Sequence, residues 1–217
     1  MKNTTYVHGM ETILAEKDKY AKEFSEGNEY LEKALLHLWD KGLATTGCCA
    51  GHPVEETEHY IYNNNPTMTF CFDDNCEELI KLISSMNKKN IIDLSICVGA
   101  QLRTVSLNGA KEKTTEFFAD MCNDYTNVNE NIRGLFSLAL STDLTGDYEI
   151  PSSIDVYIKY KDGEVDCIGI STIKNEIADK LKQHYECEEY TYGDQTYYSF
   201  RVNDYEFLRY LGISKNK

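Results

Sequence analysis

The sequence is poor in prolines, in bases and in long apolar runs. Three prolines and 13 glycines in 217 residues leave little material for a long disordered linker. No run approaches the ~20 apolar residues of a membrane-spanning helix. Residues 1–30 are polar and charged and contain no apolar stretch of the export-signal kind. These absences predict a soluble, cytoplasmic protein with no membrane partner. The chain has 22 bases against 36 acids, a net charge of −14. A nucleic-acid backbone is held by clustered Lys and Arg, and Lys88-Lys89 is the only adjacent basic pair. Direct nucleic-acid binding is therefore not expected. Acids outnumber bases in every third of the chain, so the charge is distributed rather than held in a tail. Its simplest effect is solubility, and a second effect is attraction of a basic partner. P-loop, G-x-G-x-x-G and G-x-S-x-G patterns are also missing.

Cysteine is not scarce. Eight are present, and Cys97, Cys122 and Cys167 sit inside apolar patterns where a free thiol behaves as a small hydrophobe. Without an export signal, reduced thiols are the expectation. Apolar residues at 41% and charged residues at 27% are ordinary for a globular chain. The 217 residues suffice for one large domain or two small ones.

Periodicity supplies the element order. Residues 11–25 read as a weakly amphipathic helix with Ile13, Leu14, Tyr20 and Phe24 on one side. Leu31, Ala34, Leu35, Leu38 and Trp39 follow helical spacing, with Asn28 as N-cap and Gly42 as stop. His37, beside Leu36 and Leu38, reads as a packing or surface residue. Leu43–Thr46 reads as a short strand leading into a Gly-Cys-Cys loop. Strands are expected at 67–72, 92–98, 102–107, 154–160, 165–170, 187–192 and 196–202. Helices are expected around 77–86, 117–125, 132–140, 173–181 and 203–211. Asp74 with Glu77, and Asn203 with Glu206, form capping-box patterns. Asp162-Gly163 and Gly193-Asp194 are hairpin signals. The fold class is α/β (α+β), with a mixed, largely antiparallel sheet and helices on its faces. Both halves read helix–strand–strand–helix–strand–strand–helix, which suggests an internal duplication. The polar segment Ser141–Ser153 divides an N-terminal half, 1–141, from a smaller β-rich half, 142–217. The second repeat could begin with the helix near 129.

The densest chemistry lies in Thr45-Thr46-Gly47-Cys48-Cys49-Ala50-Gly51-His52. Gly47 and Gly51 allow positive φ or close approach of a ligand. The segment follows a strand end, where α/β sheets place ligands. Three functional readings stand beside a tight turn with inert cysteines. As a ligand loop for a small polar molecule, Cys49 and His52 would make contacts, while Thr46, Gly47 and Gly51 would shape the backbone. As a thiol nucleophile, Cys49 would be activated by His52. As a metal site, Cys48, Cys49, His52 and His59 would hold zinc.

The same stretch resembles the tRNA wybutosine-synthesising methyltransferase family, in which a helix leads into Thr-Thr-Ser-Ser-Cys-Ser-Gly-Arg on an α/β scaffold. Cys49 falls on the family's cysteine and Gly51 on its glycine, and His52 stands where the family has arginine. The resemblance covers about residues 28–124. It implies a ligand loop at 45–52, S-adenosylmethionine as cofactor and possible methyl transfer. Two functional expectations result. One is a binding protein for a nucleotide-like or S-adenosylmethionine-like ligand, possibly a transferase. The other is an acidic, non-enzymatic inhibitor or adaptor, of the kind a phage or mobile element carries. Such a protein would bind a basic partner protein through acids such as Glu55, Glu56, Glu188 and Glu189.

Overall fold

The computed structural model describes residues 10–51, 65–86, 90–98, 103–141, 154–161, 164–192 and 195–202. They form seven α-helices and eight strands. The chain divides into two compact units: residues 1–94 with 104–134, and residues 95–103 with 135–217.

The first unit opens with α1 (Met10–Ala15) and α2 (Lys17–Phe24). The spacing predicts one helix here, and the chain makes two. Glu16 leaves helical geometry at φ −125°, ψ 39°, and the apolar stripe is too sparse to hold the helix straight. Next comes α3 (Glu29–Asp40), whose buried residues are Leu31, Ala34, Leu35, Leu38 and Trp39, the five that its periodicity selects. The Asn28 side chain accepts hydrogen bonds from the Tyr30 and Leu31 amides at 3.1 and 3.0 Å. Those two donors would otherwise be orphaned at the helix start. Gly42, at φ 78°, stops the helix in a conformation that favours glycine.

The first four strands are β1 (Thr45–Cys49), β2 (Thr67–Phe72), β3 (Ile91–Val98), which the division cuts after Leu94, and β4 (Arg103–Gly109). Their spatial order is β1-β2-β4-β3, so β1 is an edge. Thr67 Oγ1 donates to Asn108 Oδ1 at 2.8 Å, Thr69 and Ser106 share a hydroxyl hydrogen bond at 2.9 Å, and the Gly109 amide donates to the Pro66 carbonyl at 2.9 Å. Together these fix β2 and β4 as antiparallel. The helix α4 (Glu77–Ser85) connects β2 to β3. A capping box at its start is not formed. Cys76 is the N-cap with no side-chain hydrogen bond, and Asp73 accepts from the Asn75 amide at 2.8 Å. Glu77 is instead engaged by Arg133, whose two terminal nitrogens donate to its carboxylate at 2.8 and 2.9 Å. A 3-10 turn at Lys111–Lys113 leads into α5 (Thr114–Met121).

Phe70, Phe117, Phe118, Leu35, Leu38 and Leu82 are fully buried in this unit. Large apolar side chains of this kind contribute roughly 1.5–3 kcal/mol each when removed from water. The Phe117 and Phe118 rings meet edge to face at 5.1 Å. Phe117 also dictates the residue at the end of β4. A Cβ on Gly109 would lie 2.5 Å from the Phe117 ring and 3.0 Å from the Asn90 carbonyl.

The second unit contains β5 (Ile154–Lys161), β6 (Glu164–Thr172), α7 (Asn175–Leu181), β7 (Cys187–Tyr192) and β8 (Gln195–Val202). The helix α6 (Glu130–Ser141) precedes them. Spatial order is β5-β6-β8-β7, with every pair antiparallel. Its buried residues include Leu135, Phe136, Ile170, Leu181, Phe200 and Val202. The Asp162-Gly163 and Gly193-Asp194 turns and the helix expected at 203–211 lie outside the described residues. The strands flanking the two turns pair up to Lys161↔Glu164 and Tyr192↔Gln195.

The fold is thus a mixed α+β class with antiparallel strands. The repeated element order also extends into space. The series α3-β1-β2-α4-β3-β4 and the series α6-β5-β6-α7-β7-β8 both arrange their strands as first, second, fourth, third. The first hairpin of each carries one bulge, at Thr46 in β1 and at Asp166 in β6.

Candidate functional site

Within the first unit, a groove of about 710 Å³ runs between α1, α2, α3 and the edge strand β1. The described residues lining it are Met10 and Ile13 from α1, Glu23 and Phe24 from α2, and Glu26 from the turn that follows. Trp39 comes from α3, and Thr45, Thr46, Gly47 and Cys48 come from β1.

Local sequence sets each wall. After α2 the chain reverses through Ser25–Asn28, held by Ser25 N–H to the Ala21 carbonyl at 3.0 Å and Asn28 N–H to the Ser25 carbonyl at 2.8 Å. The reversal places Glu26 at φ 49° and Gly27 at φ 87°. Glu26 is the only non-glycine at positive φ among the described residues, a conformation that costs about 1 kcal/mol or more for a side chain of this kind. Lys17 of α2 pairs with Asp40 at the end of α3. The Trp39 indole N–H donates to Thr45 Oγ1 at 2.9 Å, which ties the indole to β1. Phe24 meets Trp39 edge to face at 6.4 Å and 89°, and the two rings make a right-angled corner. Phe24 is 38% exposed while Trp39 is 4% exposed, so one ring is open to water and the other is set into the wall.

The strand contributes its irregular end. Thr45 pairs with Phe70 and Gly47 with Thr69, which leaves Thr46 as the extra residue. A bulge of this kind bends a strand and re-aims its side chains. Here Thr46, Gly47 and Cys48 all line the groove, whereas a regular strand would present alternate residues. The Cys48 thiol lies 3.8 Å from the Phe24 carbonyl and donates to it weakly. Burial, with smaller effects from Cys49 and Glu26, pushes this thiol up to about 11. Cys48 is therefore protonated at neutral pH and is a poor nucleophile.

The remaining residues of the Cys-Cys stretch differ from their expected places. Gly47, Cys48 and Cys49 are expected in a loop after a strand at 43–46; they lie in the strand itself, Thr45–Cys49. Small side chains and the bulge hide the period-two alternation that would have marked it. Gly51 has the positive φ expected of it, 84°. Gly47 does not, and a Cβ there would meet Thr69 only at ordinary contact distance, 3.7 Å. Cys49 is absent from the described groove lining, and its sulfur accepts the Gly51 amide at 3.3 Å. His52 and His59 lie outside the described residues, as do Glu55 and Glu56. Of the zinc set only Cys48 and Cys49 are described, and no group of three or more His, Cys, Asp or Glu able to hold a metal occurs among the described residues. Cys48, Cys49, Cys71, Cys76, Cys97, Cys122 and Cys187 are free thiols. No helix among the described residues is long and apolar enough to cross a membrane.

Thr46 and Gly47, expected at a site from their sequence setting, line the groove. Phe24, Trp39, Glu23 and Glu26 line it without having been expected there, because both aromatics sit at helix-face spacings that read as core. The available signal is Glu26-Gly27-Asn28, a reversal between two amphipathic helices that forces the preceding turn of α2 against the strand.

Comparison with protein-family models, with curated proteins and with solved structures gives no match for this chain.

Proposed function

We propose that this chain is a small-ligand-binding protein and that its ligand occupies the groove between α1–α3 and β1. The observation that carries this reading is the Phe24–Trp39 corner set against the bulged, hydroxyl-bearing strand. Apolar walls with a few convergent polar groups are the usual construction of a ligand site. A planar heterocycle would stack on Phe24, and Thr45 and Thr46 would supply hydroxyls. The described lining holds Glu23 and Glu26 and no Lys, Arg or His. That composition disfavours a di- or triphosphate and leaves nucleosides and S-adenosylmethionine as the nucleotide-like candidates. Methyl transfer, which the family resemblance implies, would make the protein a transferase using that cofactor.

A thermal-shift screen of adenosine, S-adenosylmethionine, ATP and zinc tests the reading, because a ligand that binds only the native state raises Tm. Adenosine or S-adenosylmethionine is expected to raise Tm in the wild type and not in Phe24→Ala, with ATP and zinc inert. A screen in which no compound shifts the wild type more than Phe24→Ala would remove the support for the groove.

The second unit favours another reading, an acidic adaptor or inhibitor that binds a basic partner protein. On the edge strand β7, Glu188, Glu189, Tyr190 and Thr191 are all exposed. Tyr190 stacks on Tyr197 with centroids 5.2 Å apart and planes 6° apart. Stacked tyrosines beside carboxylates suit arginine, which takes ion pairs and ring contacts together. Charge reversal of Glu188 and Glu189 separates the two readings. Partner capture at low salt should be lost in the reversed protein, while the ligand response of the first unit is retained.

A further inference from the structure

We propose that the free edge of β7 pairs with β7 of a second copy of this chain, antiparallel and with Tyr190 opposite its own counterpart. This goes beyond the ligand reading, and it gives the edge to a copy of the chain rather than to a basic partner. β7 is the last strand of its sheet, so a row of its backbone N–H and C=O groups is turned away from β8. Edges in this state are usually blunted by a bulge, a proline or a lysine. β1, also an edge, carries a bulge at Thr46. β7 has none of the three. Cys187–Tyr192 pairs with β8 without a register shift and contains neither proline nor lysine. Within it stands Tyr190, the most exposed large apolar side chain among the described residues at 52%.

The tyrosine rings point to one register. Tyr190 stacks on Tyr197, its direct cross-strand partner, with centroids 5.2 Å apart and planes 6° apart. That separation is close to the ~4.8 Å between neighbouring strands, so the rings repeat in step with the sheet. The outer face of Tyr190 is directed to where the ring of an added strand would fall. A second β7 with Tyr190 on the twofold axis continues the stack through two more rings, the second copy's Tyr190 and Tyr197. Charge selects the same register. With position 190 on the axis, 189 faces 191 and 188 faces 192, so no carboxylate opposes a carboxylate. A register with 189 or 188 on the axis sets Glu189 or Glu188 against its own copy, and like charges directly opposite are destabilising. Glu189 pairs with Lys182 of its own chain, and Lys182 also covers the Tyr198 ring. By strand alternation both lie on the face away from the Tyr190–Tyr197 stack.

The paired run is short, positions 188–192 of each copy, so the dimer is weak and depends on concentration. Two chains of net charge −14 repel each other. Salt should therefore strengthen a dimer held by strand pairing and ring stacking, whereas it should weaken capture of a basic partner. Sedimentation velocity of the full chain, at rising concentration in low and in high salt, tests this. A monomer–dimer equilibrium is expected, with a dimer share that grows with concentration and with salt. Tyr190→Lys, with its fold checked by Tm, should raise the dimer Kd by about ten-fold or more, because it removes the central ring pair and puts like charges on the axis. Thr191→Arg faces the second copy's Glu189 twice per dimer and should lower the Kd at low salt by roughly two- to thirty-fold. A chain still monomeric at about 1 mM in high salt, or a dimer that Tyr190→Lys leaves intact, would overturn the pairing. So would a dimer that Thr191→Arg does not tighten or that salt dissociates. The ligand reading of the first unit stands or falls separately, on its own thermal-shift screen.

Discussion

At the scale of single residues, Cys48 shows what partial burial beside the groove does to a thiol. Burial moves it from the ordinary value of 9.0 to about 11, so it should hold about a hundredth of the thiolate of an open thiol at the same pH. Site-resolved mass spectrometry after iodoacetamide treatment near neutral pH should find Cys48 slow, with its rate still rising as pH approaches about 11. Rapid modification near neutrality would contradict the upward shift of this thiol. Gly109 gives a second residue-scale prediction. Gly109→Ala forces a methyl into the Phe117 ring, and overpacking of this kind costs roughly 1–3 kcal/mol. Urea denaturation should show the loss, and an unchanged midpoint would mean that Phe117 yields freely. Neither effect is legible in the sequence, because each depends on a residue brought close by the fold. Burial at both positions is decided by other elements of the chain, α2 beside Cys48 and α5 beside Gly109.

At the scale of elements, the sequence was most readable where one period ran unbroken between clear ends. The helix α3 shows this, with its cap, its stop and all five buried positions legible from spacing. Asn28→Ala should lower stability by about 1 kcal/mol, the usual cost of an N-cap. The effect should also loosen the groove, because Trp39 rides on the same helix. Quenching of Trp39 by acrylamide should rise in this variant, and a stability loss without increased quenching would place the fraying only at the first turn. The candidate site was less readable for the opposite reason. One extra residue, Thr46, breaks the alternation of β1, so a strand reads as a loop. The expected box at Asp74 and Glu77 also failed for want of distant information, since Arg133, 56 positions away, holds Glu77.

At the scale of the whole molecule, the thiols and the phenol that burial affects among the described residues lean one way. Burial raises Cys48 and Cys76 to about 11 and Tyr125 to about 12, and it also raises Cys71 and Cys122. Each of these groups is uncharged when protonated and keeps its proton longer in the folded chain than in the unfolded one. Stability from this source is therefore intact below the ordinary thiol value of 9.0. It falls as pH climbs from there through the folded values of about 11 and about 12. Tm followed from pH 8 upward should decline from about pH 9, and more gently in Cys76→Ala once its lower starting stability is subtracted. A flat profile over that range would mean that the thiols ionise in place. The acidity of the chain adds self-repulsion of the same sign at high pH, and added salt should relieve that part alone.

The repeated strand order also bears on synthesis. β2 meets β4 across 41 positions, from Thr67 to Asn108, and β6 meets β8 over a similar interval, from Ile168 to Val202. Loop closure over such distances carries a modest entropic cost that grows only logarithmically with length. The strands β1–β4 have been made once Gly109 has been added, with half of the chain still to come. The nascent chain can therefore pair its first four strands before β5–β8 exist.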